Sequence, residues 1–207
     1  VSPPFQQPQS ESVQEKLLNA AFDLFLGNDF HKVTNRMLAE HAGTSTSSIT
    51  YYFGDKHKLY EAMVREQFRQ IGNVLESSFD KDSGIDFPVL MKGYLEIHQQ
   101  HPDFPAFFTN ILTYKNGPGY RLFSEILDQK RSKIEKLVQE SQLKGVVRDD
   151  LDIDVLRVLM MSLSVFPFLI KGVLEQSNTT EADDSFFLKV AETAGDLLSS
   201  FSRINSQ

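Results

Sequence analysis

From Thr44 to Tyr52 the chain runs Thr44, Ser45, Thr46, Ser47, Ser48, Ile49, Thr50, Tyr51, Tyr52, a stretch of hydroxyls around one apolar residue. Small hydroxyls and phenols can approach a polar partner closely and donate hydrogen bonds to phosphates. No Ser/His/Asp order, glycine-rich phosphate loop or metalloprotease motif accompanies them, so recognition suits this run better than catalysis. Metal chemistry is equally thin. His98 and His101 could share a helix face, but His101 directly precedes Pro102, and a solvated helix end is the simpler reading. Asp149, Asp150, Asp152 and Asp154 lack the glycine and terminal Glu of a calcium loop and better suit the start of a helix. There is no cysteine to supply a thiolate. The residues therefore predict no metal, no cofactor and no enzyme.

The hydroxyl run needs a helix to present it. Ser45 can cap that helix, with Ile49 and Phe53 turned inward at i, i+4, and Gly54 closes it. Ahead of it, Thr34 can cap a shorter helix whose apolar side is Met37, Leu38 and Ala42, and Gly43 ends it. Two helices joined by a few residues including a glycine make a helix-turn-helix. Ser12 and Glu15 form a capping box for a preceding helix with Leu17, Leu18, Ala21, Phe22 and Phe25 on one stripe, which reads as structural support. Asp55 opens a helix predicted to reach about Phe79. Its stripe (Leu59, Met63, Val64, Phe68, Ile71, Leu75, Phe79) is long enough to serve two bodies, which makes it a connector.

These features, in this order and spacing, resemble the DNA-binding domain of the tetracycline repressor (TetR) family. The matching residues are Thr34, Leu38-Ala39, Ala42-Gly43, Ser45, the aromatic run Tyr51-Tyr52-Phe53, Gly54 and Lys56, behind an amphipathic helix that ends in a glycine. The resemblance covers about the first third of the chain. It implies an all-α fold of about nine helices: a helix-turn-helix DNA-binding domain followed by a helical ligand-binding and dimerisation domain. It also implies that Thr34, Ser45, Thr46, Tyr51, Tyr52 and Lys56 touch phosphates or groove edges, with Ser47 and Thr50 on the same outer surface. Arg36 falls where a base can be reached from the first helix, and an arginine bidentate to guanine is the commonest specific major-groove contact. The bland alternative is an Arg36–Glu40 pair at i+4. The chain departs from the family pattern where Lys and Gly commonly follow the serine, since Thr46 and Ser47 stand there, and Thr50 replaces the usual aromatic. With no Arg, Lys, Asn or Gln in the second helix, methyl contacts, water bridges and DNA shape must carry more of the selectivity.

Charge is consistent with local recognition only. The net formal charge is −7 over 207 residues, unsuited to a general nucleic-acid binder. Between His31 and Tyr60, however, Lys32, Arg36, Lys56 and Lys58 face Glu40 and Asp55, a formal 4 − 2 = +2. Residues 1–11 are Pro/Gln/Ser-rich, without the basic start and apolar core of a signal peptide, and read as a disordered tail. With no disulfide possible, a reducing cytoplasm is the expected compartment.

The domains divide as 12–80 and 81–207, the boundary being the Gly/Pro-containing linker KDSGIDFP, and no strand pattern is visible. Helices are expected around Leu90–His98, Phe104–Leu112 and Leu122–Val138, with a break at Asn116-Gly117-Pro118-Gly119. The segment VLRVLMMSLSVFPFLIKGVL is apolar nearly all round, yet too short and too interrupted by Pro167 for a membrane span. A final helix runs from about Ser185 through Phe201 and Ile204. The family resemblance implies an effector cavity, for which Met91, Tyr94, Phe104, Phe107 and Phe108 are candidates together with Phe123, Met161 and Phe166. An apolar or aromatic effector would suit them, with His98, Gln99 or Asn110 as polar anchors. The last two helices are expected to pair with their copies as a four-helix bundle in a homodimer, through Leu159, Leu163, Phe187, Val190, Ala194, Leu198 and Phe201. The expected partners are thus double-stranded operator DNA, a small effector and a second copy, with no membrane. The rival reading is a helical small-molecule-binding or interaction module that has lost DNA binding.

Overall fold

A computed structural model describes residues 11–80, 82–177 and 182–202. Most of the expected tail, residues 1–10, and Ile204 lie outside the described residues. The helices in order are α1 (Val13–Leu26), α2 (Asn35–His41), α3 (Thr46–Phe53) and α4 (Lys56–Ser77), then α5 (Phe87–Gln100), α6 (Phe104–Thr113) and α7 (Pro118–Leu143), and finally α8 (Ile153–Leu169), α9 (Lys171–Gln176) and α10 (Asp184–Ser202).

The starts of these helices follow the side chains that can satisfy their free N–H groups. Ser12 and Glu15 form the full capping box of α1. Thr34, Asp55 and Asp86 cap α2, α4 and α5 by accepting from the N–H groups of Met37, Lys58 and Val89. Asp152 caps α8, accepting from the N–H groups of both Asp154 and Val155, as the aspartate cluster suggested. Between α2 and α3, Gly43 takes φ +62°, a left-handed conformation that costs a side-chain-bearing residue energy.

Two sequence expectations need correction. The stretch after α4 contains a short antiparallel pair, β1 (Phe79–Asp80) and β2 (Gly84–Ile85), with Phe79 opposite Ile85. Gly84 sits at φ +79° and a Cβ there would press on the Ser141 hydroxyl, which accepts a hydrogen bond from the Ile85 N–H at 3.1 Å. Two-residue strands are too short to show alternation, so no pattern could reveal them. The helix count also rises to ten among the described residues, because the segment around Pro167 divides at Ile170 into α8 and α9.

Two hydrophobic cores form. The first joins α1–α4 to α6 and the start of α7, with Leu17, Phe25, Leu38, Ile49, Leu59 and Met63 buried beside Phe104, Phe107 and Ile111. The second gathers α5, α8, α10 and the end of α7 around Leu90, Met91, Leu156, Phe187 and Leu198. Helix α4 crosses both, giving Val64 and Phe68 to the first and Leu75 to the second. The N-terminal body is therefore docked on α6. Phe22 meets Phe107 with ring centroids 5.2 Å apart, and Asn110 Nδ2 donates to the carbonyl of Leu26 at 3.2 Å.

Candidate functional site

Helix α3 is oriented by Ile49, which is fully buried, and by half-buried Phe53. Thr44 and Ser48 are half-buried, and the rest of the hydroxyl run faces out: Thr46, Ser47 and Thr50 are exposed, Tyr51 is 82% exposed and Tyr52 43%. The two phenol rings brace each other edge to face at 4.9 Å. With Val13, Ser47, Ser48 and Thr50 they line a shallow open groove. Ser45 holds the N-cap position, but its side chain makes no cap. Its Oγ instead shares hydrogen bonds with the hydroxyls of Ser47 (2.7 Å) and Ser48 (3.1 Å), while Thr44 meets Ser48 at 2.8 Å. A hydroxyl cluster therefore stands at the start of α3, with its backbone N–H groups not capped by Ser45.

Thr34 is exposed. Its oxygen accepts from the Met37 N–H at 3.2 Å, and the hydroxyl proton remains to be donated outward. Arg36 is paired with Glu40 at 2.7 Å, the bland arrangement foreseen as its alternative, on an exposed face from which it can exchange partners. Lys56 differs from expectation. Its Nζ donates to the carbonyls of Phe30 (2.9 Å) and Val33 (2.7 Å) and lies 4.3 Å from the Phe30 ring centre. It is a clamp that fastens the α1–α2 loop to α4, because the carbonyls that end that loop lie within reach of a lysine in the first turn of α4.

A cavity of about 120 Å³ lies between α4, α5, α6, α7 and α8. Of the residues expected there, Tyr94, Phe104, Phe108, Phe123 and Met161 line it. Phe107 is buried against Phe22, Met91 belongs to the second core, and Phe166 is 58% exposed on the outside of α8, so these three do not. Among the polar anchors considered, Gln99 is exposed and Asn110 is engaged with Leu26. His98 is not a solvated helix end. It is buried beside the rings of Phe104 and Phe168, its Nδ1 lacks a hydrogen-bond partner, and burial pushes its pKa down to about 4. Sequence reading missed Gly72, Lys130, Arg157 and Ser164, which also line the cavity. One signal was there: Lys130 falls in register with Phe123, Ile126, Leu127 and Ile134, a cation on an otherwise apolar stripe.

The expected pairing face also needs revision. Phe187, Ala194 and Leu198 are buried within their own chain, and Leu159, Leu163 and Val190 are half-buried. Helix α10 packs along α5, and a Cβ on Gly195 would run into the backbone of Pro88. The small residues of α10 thus receive α5. Phe201 keeps its outward place, and Val155, Val158, Phe166 and Leu169 on α8 and Leu188 and Leu197 on α10 are also large apolar side chains left exposed. Among the described residues no helix is long and apolar enough to cross a membrane, and no group of three His, Asp or Glu is placed to hold a metal ion.

Residues 17–63, which span α1 to the first half of α4, match the tetR family of bacterial regulatory proteins. The chain thus carries the N-terminal segment of the TetR family of transcriptional regulators. The HTH-type transcriptional repressor KstR2 of Mycolicibacterium smegmatis is 22% identical over 153 residues, covering 70% of this chain and 73% of that protein. The fold of GusR from Salmonella enterica superposes with a TM-score of 0.70 at 14% identity, over 94% of this chain and 97% of the other. That of the ketosteroid transcriptional regulator KstR2 of Mycobacterium tuberculosis does so with a TM-score of 0.61 at 15% identity, over 95% and 98%. The fold shared with these two proteins thus extends through α10, beyond the matched segment.

Proposed function

We propose that this TetR-family regulator is a homodimeric, cytoplasmic repressor without enzymatic activity, which holds a near-palindromic operator and releases it when a small effector enters the cavity. The observation that carries this reading is the outer surface of α3: tyrosines and hydroxyls held outward by the buried Ile49. Each protomer would lay one α3 in the major groove, the two lying about 34–36 Å apart. Thr34, Ser45, Ser47 and Tyr52 would donate to phosphates. The methyls of Thr46 and Thr50 would meet thymine methyls, Tyr51 would reach a groove edge, and Arg36 would leave Glu40 for a base or phosphate. Lys56 would act indirectly, by fixing the loop that aims Thr34.

The second copy would seat on Val158, Phe166, Leu197 and Phe201. The effector would be largely apolar, in keeping with the four phenylalanines of the cavity (Phe68, Phe104, Phe108 and Phe123). Movement would travel along α4, which lines the cavity and begins directly after α3. A differential affinity of a few kcal/mol between the two states suffices to release an operator.

The test is gel retardation with DNA from beside its own gene, over a range of salt. Wild type should bind, and Arg36→Ala and Tyr52→Ala should each weaken binding by roughly tenfold or more, about 1–3 kcal/mol. Full binding by both variants would remove the contact assignment. Failure of the wild type to bind would favour the rival module, to which the −7 charge and the absence of basic side chains on α3 lend some support.

A further inference from the structure

Lys130 occupies a position where α7 would otherwise place an apolar side chain. Phe123, Ile126, Leu127 and Ile134 share its face, and all five line the cavity. The ammonium lies against α4 at Gly72, where a Cβ would collide with it. Glycine is among the least favourable residues inside a helix, and here the missing side chain is the space the ammonium fills. Arg157 reaches the same cavity from α8, its side chain only 13% exposed. It donates from Nη2 to the carbonyl of Leu127 and from Nη1 to Asp154, both at 3.1 Å.

The counter-charges do not balance. Asp154 also serves Arg131 at 2.9 Å, so one carboxylate answers two guanidiniums. Glu76, whose carboxylate feels Lys130, is bonded to Lys133. Lys130 itself has neither a hydrogen bond nor an ion pair among the described residues, and no Asp or Glu lines the cavity. A half-buried cation beside apolar walls is poorly compensated unless an anion joins it.

Building on the effector-site reading, we propose that the ligand is an amphipathic carboxylate, its apolar end among Phe68, Phe104, Phe108 and Phe123 and its carboxylate on Lys130, with Arg157 beside it. The volume of about 120 Å³ is somewhat below the roughly 150 Å³ that admits benzene, which suits an apolar end of about six or seven carbons. One uncommitted ammonium matches a single negative charge better than a phosphate dianion. A carboxylate that draws this ammonium away from Gly72 would act directly on α4, the helix that follows α3.

The experiment is calorimetric titration of the full chain with octanoate, octan-1-ol and octylamine at neutral pH. Octanoate should bind at least roughly tenfold tighter than octan-1-ol, as a charge-assisted hydrogen bond would give, and octylamine should bind weakest. Lys130→Met should bring octanoate to within about twofold of octan-1-ol, whereas Lys130→Arg should keep the preference. Lys130→Gln, which keeps a polar side chain of similar length without the charge, should likewise lose most of the preference, and it stands in should Lys130→Met misfold. Octan-1-ol binding as tightly as octanoate, or a preference that survives Lys130→Met, would overturn the proposal and leave the cavity as an effector site. No binding by any of the three would remove the effector-site reading, and the proposal with it.

Discussion

Ile49 is the one side chain between Thr46 and Tyr52 with no exposed surface, and its burial decides which way its neighbours point. Truncating it should cost about 2–5 kcal/mol, since the first core cannot fully close around the lost methyls. We expect Ile49→Ala to unfold at lower urea and to lose DNA binding in proportion to the unfolded fraction, both measurable by circular dichroism and gel retardation. His98 has a different consequence. Its folded pKa of about 4 lies below the ordinary value of 6.5 because burial disfavours the charged ring. Between those values the unfolded chain binds a proton that the folded chain refuses, so stability is full above pH 6.5 and falls as pH drops toward 4, by up to about 3 kcal/mol. Urea unfolding across that range should show this loss. His98→Leu should flatten it, and an unchanged acid limb in that variant would locate the titration elsewhere.

Among the helices, α10 shows why a correct pattern can be given the wrong partner. Ala191, Ala194 and Gly195 do mark a face that another helix approaches closely, but that helix is α5 of the same chain. A small-residue stripe encodes close approach and carries no information on whose helix arrives. Replacing Gly195 by Val should therefore act within one protomer, lowering stability by about 1–3 kcal/mol through overpacking on Pro88, with chemical denaturation as the check. The caps of α1, α2 and α4, the turn at Gly43 and the stripe of α4 were legible because each is a local rule written in a few adjacent residues. The cavity was half legible. Its aromatic residues were expected, but Phe107 and Phe166 carry the same side chain with the same spacing and face elsewhere. Lys56 escaped because its carbonyl partners lie 26 and 23 residues away, in a loop whose path depends on the packing of α1 and Phe30. Gly72 and Lys130 are neighbours only once α4 and α7 are laid together.

At the scale of the molecule, two cores share α4, and the N-terminal body is bonded to α6 as well as to α4. A displacement of α6 or of α4 at the cavity thus has a direct mechanical route to α3. In the proposed dimer, the exposed side chains of α8 and α10 would set the other distance on which operator binding would depend, that between the two copies of α3. Introducing Val158→Glu and Leu197→Glu together should yield a folded monomer in sedimentation analysis, with operator affinity reduced at least about a hundredfold because bivalency is lost. A double variant that remains dimeric would place the interface elsewhere.

The measurement that bears most directly on the central claim, that α3 presents its hydroxyl and phenol surface to DNA, is a fluorescence anisotropy titration of an upstream operator fragment with wild type, Thr46→Ala and Tyr51→Ala. Both positions are exposed, so both variants should melt like the wild type. The account predicts roughly tenfold weaker binding for each, with wild-type affinity falling steeply as salt rises. Equal affinity across all three proteins would contradict it.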